Sequence, residues 1–301
     1  MNLTLDEKIN ELCSKYSPKE LQKAASDLTN LYSQKKSHQN EVHRLAYLVA
    51  RMPATFAVLS KVFQELTPPS TILDCGAGPG TSIWALFDAP IKELTLLEKD
   101  LEFVKLGKKI APSTSFQTSW KVKSFLNFSE KGELILFSYS LNEIPEDFLE
   151  ETIEHAIKQT ENYLVIIEPG TPEGFERVRM ARTLALKRGL SLHGPCPHHN
   201  VCPMVGKDWC HFAARLSRSS LHRFIKKGAL GHEDEKYSYL IASKQPYAPS
   251  GARVLRHPIR KKGHVLAMLC TAEGLEQRVF KGKEKKEIHW GSLLRILAFL
   301  F

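Results

Sequence analysis

A short apolar segment, a glycine-rich turn and a second apolar segment follow one another in 71-TILDCGAGPGTSIWALF-87. Gly76, Gly78 and Gly80 stand where a strand would turn into a helix. Glycine there lets the backbone approach a ligand closely and frees the N–H groups at the helix start. Turns of this kind occur in nucleotide-binding folds generally. The segment therefore predicts a strand–turn–helix unit that binds a cofactor.

Patterns typical of strands and helices alternate after this turn. Apolar runs predict strands at 93–100, 132–141 and 162–170. Strands that alternate with amphipathic helices of this length indicate a parallel sheet covered on both faces. We predict an α/β, Rossmann-like domain over residues 67–190, preceded by a helical segment over residues 1–66 in which Pro53 breaks a helix.

Two acidic residues flank the glycine turn. Asp74 precedes it, as in the D-x-G-x-G-x-G pattern of S-adenosylmethionine-dependent methyltransferases, and Glu98 ends the next strand, where a carboxylate can accept from both ribose hydroxyls. The alternative is that Asp74 only orders the turn and Glu98 pairs with a surface lysine. The pattern favours S-adenosylmethionine, held by Asp74, Gly76, Gly78, Gly80 and Glu98.

Catalysis is less well supported. Asn142 and Glu143 follow the strand at 132–141, at the sheet edge where reacting groups lie in open α/β folds. They could position a substrate or merely cap a helix start. The Asn/Asp-Pro-Pro-aromatic motif of enzymes that methylate base nitrogens is absent from this stretch. The sequence leaves open whether the chain is an S-adenosylmethionine-dependent methyltransferase.

Three cysteines lie close together in 195-PCPHHNVCPMVGKDWCHF-212, spaced C-x5-C-x7-C. The interleaved prolines oppose a helix and favour side chains that converge. A fourth ligand would be Cys270 or one of the nearby histidines, His198, His199 or His211. Thiolates suit zinc or an iron–sulfur cluster, so spacing alone does not choose between a site of four cysteines and a site of three cysteines and one histidine. Three structural thiols without metal are the remaining alternative.

Positive charge is concentrated in the second half of the chain. Residues 1–170 carry 18 Lys and Arg against 23 Asp and Glu, and residues 171–301 carry 24 against 10. Such asymmetry predicts that the second half faces a polyanion. The candidate phosphate contacts are Arg253, Arg256, Arg260, Lys261 and Lys262. We also predict a basic helix at 210–227.

The termini decide the expected location. The sequence has no apolar run long enough to span a membrane, and its first residues contain acids and no signal-like apolar stretch. The closing LLRILAFLF is too short to span and predicts a packed element. We expect a monomeric cytoplasmic protein without membrane partners, with a mitochondrial matrix location disfavoured by the lack of an arginine-rich leader. In a reducing compartment, clustered cysteines indicate metal rather than disulfides.

Six motifs together resemble the methyltransferase-like family of small-subunit ribosome assembly proteins of the Rsm-twenty-two type. They are YLVARMPAT (47–55), LDCGAGPGTSIWAL (73–86), YSLNEIP (139–145), IIEPGTPEGF (166–175), CPHHNVCPM (196–204) and DWCHF (208–212). The resemblance runs from about residue 42 to the Trp-Gly pair at 290–291. The family has mitochondrial members and bacterial relatives.

The resemblance implies a class I S-adenosylmethionine methyltransferase fold with N-terminal helices and a cysteine-rich metal-binding insertion. It implies a [4Fe–4S] cluster on Cys196, Cys202, Cys210 and Cys270, and binding to small-subunit rRNA. The insertion, a helix and a strand would occupy residues 191–250, and a small basic β appendage carrying the fourth ligand would occupy residues 251–301. The competing interpretation is a catalytically inactive RNA-binding assembly factor with a vestigial cofactor pocket and a zinc staple of three cysteines and one histidine.

Overall fold

The computed structural model describes residues 4–33, 40–204, 206 and 208–294. Its helices are α1 Leu5–Cys13, α2 Pro18–Ser33, α3 Glu41–Ala50, α4 Met52–Phe63, α5 Thr81–Ala85, α6 Leu101–Ile110, α7 Glu146–Gln159, α8 Pro172–Lys187 and α9 Ser220–Ile225. Its strands are β1 Thr71–Cys75, β2 Glu93–Glu98, β3 Gln117–Val122, β4 Gly132–Ser138, β5 Thr160–Pro169, β6 Ser191–Gly194, β7 Phe212–Ser217, β8 His232–Ser243, β9 Ala252–Val254, β10 Ile259–Arg260, β11 His264–Thr271, β12 Gly274–Lys281 and β13 Leu293–Leu294.

The chain divides into two compact units, residues 1–130 with 214–235 and residues 131–213 with 236–301. These units do not follow the four consecutive segments expected from the sequence. Segment 214–235 belongs with the N-terminal helices because α9 packs against α2 and α3. One hydrogen bond, from Gln22 Nε2 to the Phe224 carbonyl at 2.6 Å, ties α2 to α9.

The first unit contains the expected β-α-β arrangement. Strands β3, β2 and β1 lie side by side and are parallel, which confirms the Rossmann-like character predicted from the alternating pattern. The buried positions of β1 and β2 are apolar except for Asp74 and Glu98. Asp100 caps α6 by accepting from the Glu102 backbone N–H, so β2 passes into α6 through a short turn. This geometry places the acidic residues at the carboxyl ends of the parallel strands.

The N-terminal helices form a separate apolar cluster in the same unit. Leu5, Leu21, Leu48 and Met52 are among its buried members. The helices α3 and α4 are separate because Pro53 begins a new helix, and their axes bend by 44° at the break. No single described helix is long and apolar enough to cross a membrane, although this bent pair passes the same length and composition test.

The basic helix expected at 210–227 is wrong over its first half. Residues 212–217 form β7, and only Ser220–Ile225 is helical. Arg215 and Arg218 pair with Asp234 and Glu233, and the Arg218 N–H donates to the Gly231 carbonyl, so the two segments run as neighbouring extended chains. Sequence periodicity missed these partners because they lie 15 or more residues away.

The second unit contains a mixed sheet in which β4 and β5 are parallel. Strand β8 is antiparallel to both β5 and β6 and lies between them. A second sheet over residues 252–294 has the order β10-β11-β9-β13, with β12 paired to β11. Its buried face contains Val254, Val265, Leu269 and Phe280. Most of the apolar C-terminal stretch, residues 295–301, lies outside the described residues.

Candidate functional site: glycine turn and four-cysteine cavity

The glycine turn is held by its own backbone. Gly76, Gly78 and Gly80 have φ values of 80°, 54° and 76°, the left-handed region that glycine tolerates. The N–H groups of Gly76 and Ala77 donate to the Leu97 carbonyl at 2.9 and 3.0 Å. These donors are therefore used within the turn, and the expected free N–H groups are not found at these two positions.

The space available for a side chain differs between Gly78 and Gly80. A Cβ at Gly78 would meet no described atom within 4 Å, so this side of the turn is open. A Cβ at Gly80 would come 2.9 Å from the Trp120 ring, and one at Gly107 would come 2.6 Å from the same ring. Trp120 packs onto both glycines, a role that its strand pattern did not reveal. The open side at Gly78 fits close approach of a ligand to the backbone.

Asp74 is 3% exposed, and its Oδ2 accepts a hydrogen bond of 2.5 Å from Ser82 Oγ. Its Oδ1 has no hydrogen-bond partner among the described residues. Burial raises the pKa of Asp74 to about 7, while the Ser82 bond opposes this rise and the nearby Glu98 charge adds to it. A buried carboxyl with one unpartnered oxygen is suited to accept from a bound ligand.

Glu98 is 8% exposed and holds the turn. Its Oε2 accepts from the Gly78 N–H at 2.8 Å, and its Oε1 accepts from the Asp100 N–H at 2.7 Å. A carboxylate has about four lone-pair sites, so each oxygen can accept a second bond. Glu98 can therefore order the turn and still accept from ribose hydroxyls.

The weak catalytic candidates lie in the second unit. Asn142 and Glu143 are exposed and form part of a short 3-10 helix, Leu141–Glu143. The residue that precedes this helix is Ser140, and no side chain caps the helix start, so the capping alternative gains no support. No reacting group is identified by this arrangement.

A buried acid that the sequence reasoning missed lies beneath this helix. Glu168 is fully buried at the end of β5, with Arg177 Nη1 3.4 Å from its Oε2. Burial raises the pKa of Glu168 to about 7, against the opposing effects of Arg177 and of the Leu141 and Asn142 backbone N–H groups. The sequence did contain a signal for this residue, because Glu168 directly follows the apolar run of β5.

The four candidate cysteines line one cavity of about 40 Å³ in the second unit. Cys196, Cys202 and Cys210 come from the loops between β6 and β7, and Cys270 comes from β11. Cys270 therefore reaches the same cavity from sixty residues beyond Cys210. The cavity exceeds the roughly 10–15 Å³ that one water molecule needs. Burial raises the pKa of Cys270 to about 12 and that of Cys196 above its usual range.

Two buried arginines flank this cavity. Arg182 of α8 is 5% exposed, and its Nε donates to Cys196 Sγ at 3.2 Å. Its Nη2 donates to the His198 and Asn200 carbonyls at 3.2 and 2.6 Å. Arg253 is 4% exposed, and it donates to the Pro195 and Gly291 carbonyls at 2.7 and 2.8 Å. Positive charge is thus buried beside the thiols.

Of the three candidate histidines, one contacts a candidate cysteine. His198 Nε2 lies 3.4 Å from Cys270 Sγ. His199 Nε2 accepts from the Leu192 N–H at 3.0 Å, and His211 is stacked on Trp209. Among the described residues, no group of three or more His, Cys, Asp or Glu side chains is arranged to hold a metal ion.

The expected phosphate contacts divide into buried and exposed residues. Arg253 is excluded, because its guanidinium is interior and bonded to backbone carbonyls. Arg256 pairs with Asp208 and the Trp209 carbonyl, and Arg260 donates to the Lys285 and Ile288 carbonyls. Lys261 and Lys262 are exposed and form no ion pair with a described residue. These two lysines remain the available cations of that set.

The chain is similar to several mitochondrial proteins. It is 24% identical over 291 residues to the human ribosome assembly protein METTL17, covering 84% of this chain and 63% of the relative. It is 22% identical over 292 residues to the ribosome assembly protein RSM22 of Saccharomyces cerevisiae, covering 61% of this chain and 46% of that relative. The chain spans less than two thirds of the length of these relatives.

These relatives correct the expected location. The human and budding-yeast proteins are mitochondrial, and so are the Rsm22-cox11 tandem proteins of Schizosaccharomyces pombe. The cytoplasmic location expected from the sequence is therefore wrong, and the relatives point to the mitochondrion. The expectation failed because it was drawn from the composition of a few N-terminal residues, which none of the six motifs includes.

Two methyltransferases are among the solved structures to which the chain has a low similarity. A magnesium protoporphyrin IX methyltransferase from Synechocystis with bound S-adenosylmethionine has a TM-score of 0.43 at 10% identity, covering 72% of this chain and 91% of that one. A TehB-like methyltransferase from Corynebacterium glutamicum has a TM-score of 0.40 at 14% identity, covering 76% of this chain and 100% of that one. Scores this low support no inference about function.

The family itself is established by sequence. Residues 41–294, most of the chain, match the profile of the mitochondrial small ribosomal subunit Rsm22 family. That span includes the glycine turn, both acidic residues beside it and all four cavity cysteines. The chain belongs to the Rsm22 family of the mitochondrial small ribosomal subunit.

Proposed function

We propose that this chain assists assembly of the small ribosomal subunit in mitochondria by binding its rRNA. In this proposal the cavity cysteines Cys196, Cys202, Cys210 and Cys270 hold a [4Fe–4S] cluster. Asp74, Glu98 and the glycine turn bind S-adenosylmethionine. Family membership and the names of the relatives support the ribosomal role.

The shared cavity of the four cysteines carries the proposal. Iron–sulfur clusters are held by four thiolates, whereas a zinc ion at about 2.3 Å from each sulfur draws four thiolates to a single point. The four thiols line one cavity that is larger than one water molecule requires, which leaves space between them for a cluster. The donor set and this space support a polynuclear cluster.

The buried arginines support the same assignment. A buried guanidinium is costly unless an opposite charge or strong acceptors compensate it. Arg182 is bonded to Cys196 Sγ and to two carbonyls, so a cysteine thiolate bound to metal would supply a negative charge at that position. The cluster would also cross-link the loop at 196–210 to β11, because its ligands come from both.

The donors for S-adenosylmethionine also fit, although they are shared with the turn. The open side of Gly78 allows close approach, and Asp74 Oδ1 lacks a partner among the described residues. Bound S-adenosylmethionine would supply an activated methyl group. We assign no catalytic residue, since Asn142 and Glu143 are exposed and no base is placed beside a substrate. Transfer of labelled methyl groups to immature small subunits tests whether the cofactor is used chemically.

A zinc site is the second candidate, because His198 Nε2 contacts Cys270 Sγ at 3.4 Å. In that case His198 would take the place of Cys270 and join Cys196, Cys202 and Cys210 in a zinc staple. Metal analysis distinguishes the two candidates, since iron and sulfide would be absent from a zinc protein.

The assembly role is tested in cells that lack the protein. We expect mature small subunits to fall relative to large subunits, measured by sucrose-gradient sedimentation of mitochondrial ribosomes. The parent chain should restore them, and a Cys196→Ser, Cys202→Ser double variant should not. Cys13→Ala is the matched control, because Cys13 is buried in the helical cluster and does not line the cavity. Normal small subunits in the depleted cells would contradict the assembly role.

A further inference from the structure

A basic groove lies in the first unit and contains none of the predicted RNA contacts. It has a volume of about 700 Å³ and lies among α2, α3 and the end of α9. Five cations line it, against one carboxylate, Asp27: Lys19, Lys23, Arg51, Lys226 and Lys227. A concave surface with one predominant sign of charge concentrates ligands of the opposite charge.

Two of these cations are fixed by acids that do not line the groove. Arg51 Nη2 lies 2.9 Å from Glu235 Oε1, and Lys226 pairs with Glu233. Glu233 also pairs with Arg218 at 2.8 Å, so its charge is already shared. The acids therefore orient Arg51 and Lys226 at the groove without contributing negative charge to its lining.

The other three cations are available. Lys19, Lys23 and Lys227 are exposed, and none forms an ion pair with a described residue. Lys227 has a φ of 51°, at the end of α9, where glycine or asparagine is the usual residue. A lysine is conformationally unfavourable here, and no described contact of its side chain offsets this cost. Charge at the groove is the property that this residue adds.

We propose that this groove, formed by α2, α3 and α9, binds single-stranded RNA through its phosphates. The volume lies within the range of about 300–1,000 Å³ that is typical of ligand-binding clefts. Tyr47 also lines the groove, as aromatic side chains do in channels for single strands. The inference rests on the proposed rRNA-binding function and locates a surface for it.

A membrane surface fits the groove less well. Peripheral membrane helices insert exposed apolar side chains beneath a basic rim. Here the apolar lining residues Leu28 and Ile225 are buried in the helical cores, and Ala25 and Ala50 are small. The groove therefore offers charge without an apolar anchor, which is the pattern expected for nucleic acid.

The test removes the three available cations in one variant, Lys19→Gln, Lys23→Gln and Lys227→Asn. Glutamine keeps the helix propensity of lysine, and asparagine tolerates the left-handed backbone at 227, so the fold should be preserved. The matched control is Lys92→Gln, Lys108→Gln and Lys109→Gln, which removes the same charge from exposed positions of the same unit outside the groove. Circular dichroism checks that both variants fold.

Binding is measured by fluorescence anisotropy with a labelled single-stranded fragment of small-subunit rRNA, using the full chain. The groove variant should bind about 10- to 100-fold more weakly than the parent at 0.1 M salt, and its slope of log affinity against log salt should fall by about 2. The control variant should lose less affinity than the groove variant and should keep most of the parent's dependence on salt. A matching duplex should bind the parent more weakly than the single strand.

The outcomes separate this inference from the function on which it rests. If the groove variant matches the parent while Lys261→Gln, Lys262→Gln loses RNA, the groove proposal is overturned and rRNA binding stands. If the parent binds neither immature small subunits nor the fragment, the proposed function fails first. If the variant keeps RNA but loses binding of poly-glutamate, the groove serves an acidic protein, and the RNA proposal is likewise overturned.

Discussion

Arg182 donates a hydrogen bond from Nε to Cys196 Sγ at 3.2 Å, and its guanidinium is buried. The remaining donors hold the carbonyls of His198 and Asn200, so one side chain connects α8 to the backbone and to a sulfur of the cysteine loop. The loop is therefore shaped by α8 as well as by any metal.

Arg182→Met should destabilise the second unit and release iron faster. Removing a buried charge leaves the His198 and Asn200 carbonyls without a donor and costs about 3 kcal/mol or more. The readouts are urea unfolding and the rate at which a chelator removes iron. Arg188→Met is the control, because Arg188 ends the same helix but is half exposed, pairs with Glu154 and does not line the cavity. Equal rates for parent and Arg182→Met would remove this residue from the site.

Glu98→Gln should weaken S-adenosylmethionine binding. The amide keeps one acceptor but replaces the other with a donor that faces the Gly78 or Asp100 N–H. We expect about a tenfold or greater loss of affinity by calorimetry. Glu93→Gln, at the start of the same strand, is the control. Unchanged affinity in Glu98→Gln would place the cofactor elsewhere.

Two alanine substitutions should differ in stability. Gly78→Ala meets open space, so it should cost only the strain of a positive φ, about 1–2 kcal/mol. Gly80→Ala adds the same strain and a Cβ 2.9 Å from the Trp120 ring, so its cost should be larger. Thermal unfolding of both variants measures the difference. A Gly78→Ala that is the less stable of the two would contradict the open turn.

Glu168 should make stability depend on pH. Its pKa is raised from 4.5 to about 7, so the folded state binds the proton more tightly than the unfolded state does. This contribution is fully present below about pH 4.5 and is lost as pH rises to about 7. Relative to the parent, Glu168→Gln should therefore gain stability between pH 5 and pH 8, by at most about 3 kcal/mol. Urea unfolding measures it, with exposed Glu150→Gln as control. A constant difference across this range would contradict the raised pKa.

The sequence predicted those parts of the fold that depend on local pattern. The β-α-β units, the glycine turn and Asp74 follow from apolar periodicity and turn chemistry, which act over a few residues. Cys270 was named as a candidate ligand for a different reason. It was one of three remaining cysteines, and the family resemblance selected it.

Other features depend on contacts between distant residues. Arg182 and Arg253 look like surface cations in the sequence, but carbonyls and a sulfur brought together by the fold bury them. The strand β7 was mistaken for helix because its partners lie on β8. The basic groove combines Lys19 with Lys227, so no local window of sequence displays its charge.

Metal analysis of protein purified without oxygen is the most direct test of the four-cysteine site. The parent should contain about four iron and four sulfide per chain. Cys270→Ser should lose both, while His198→Ala and the control Cys13→Ala should keep them. One zinc per chain, retained in Cys270→Ser and lost in His198→Ala, would contradict the cluster and establish the histidine staple.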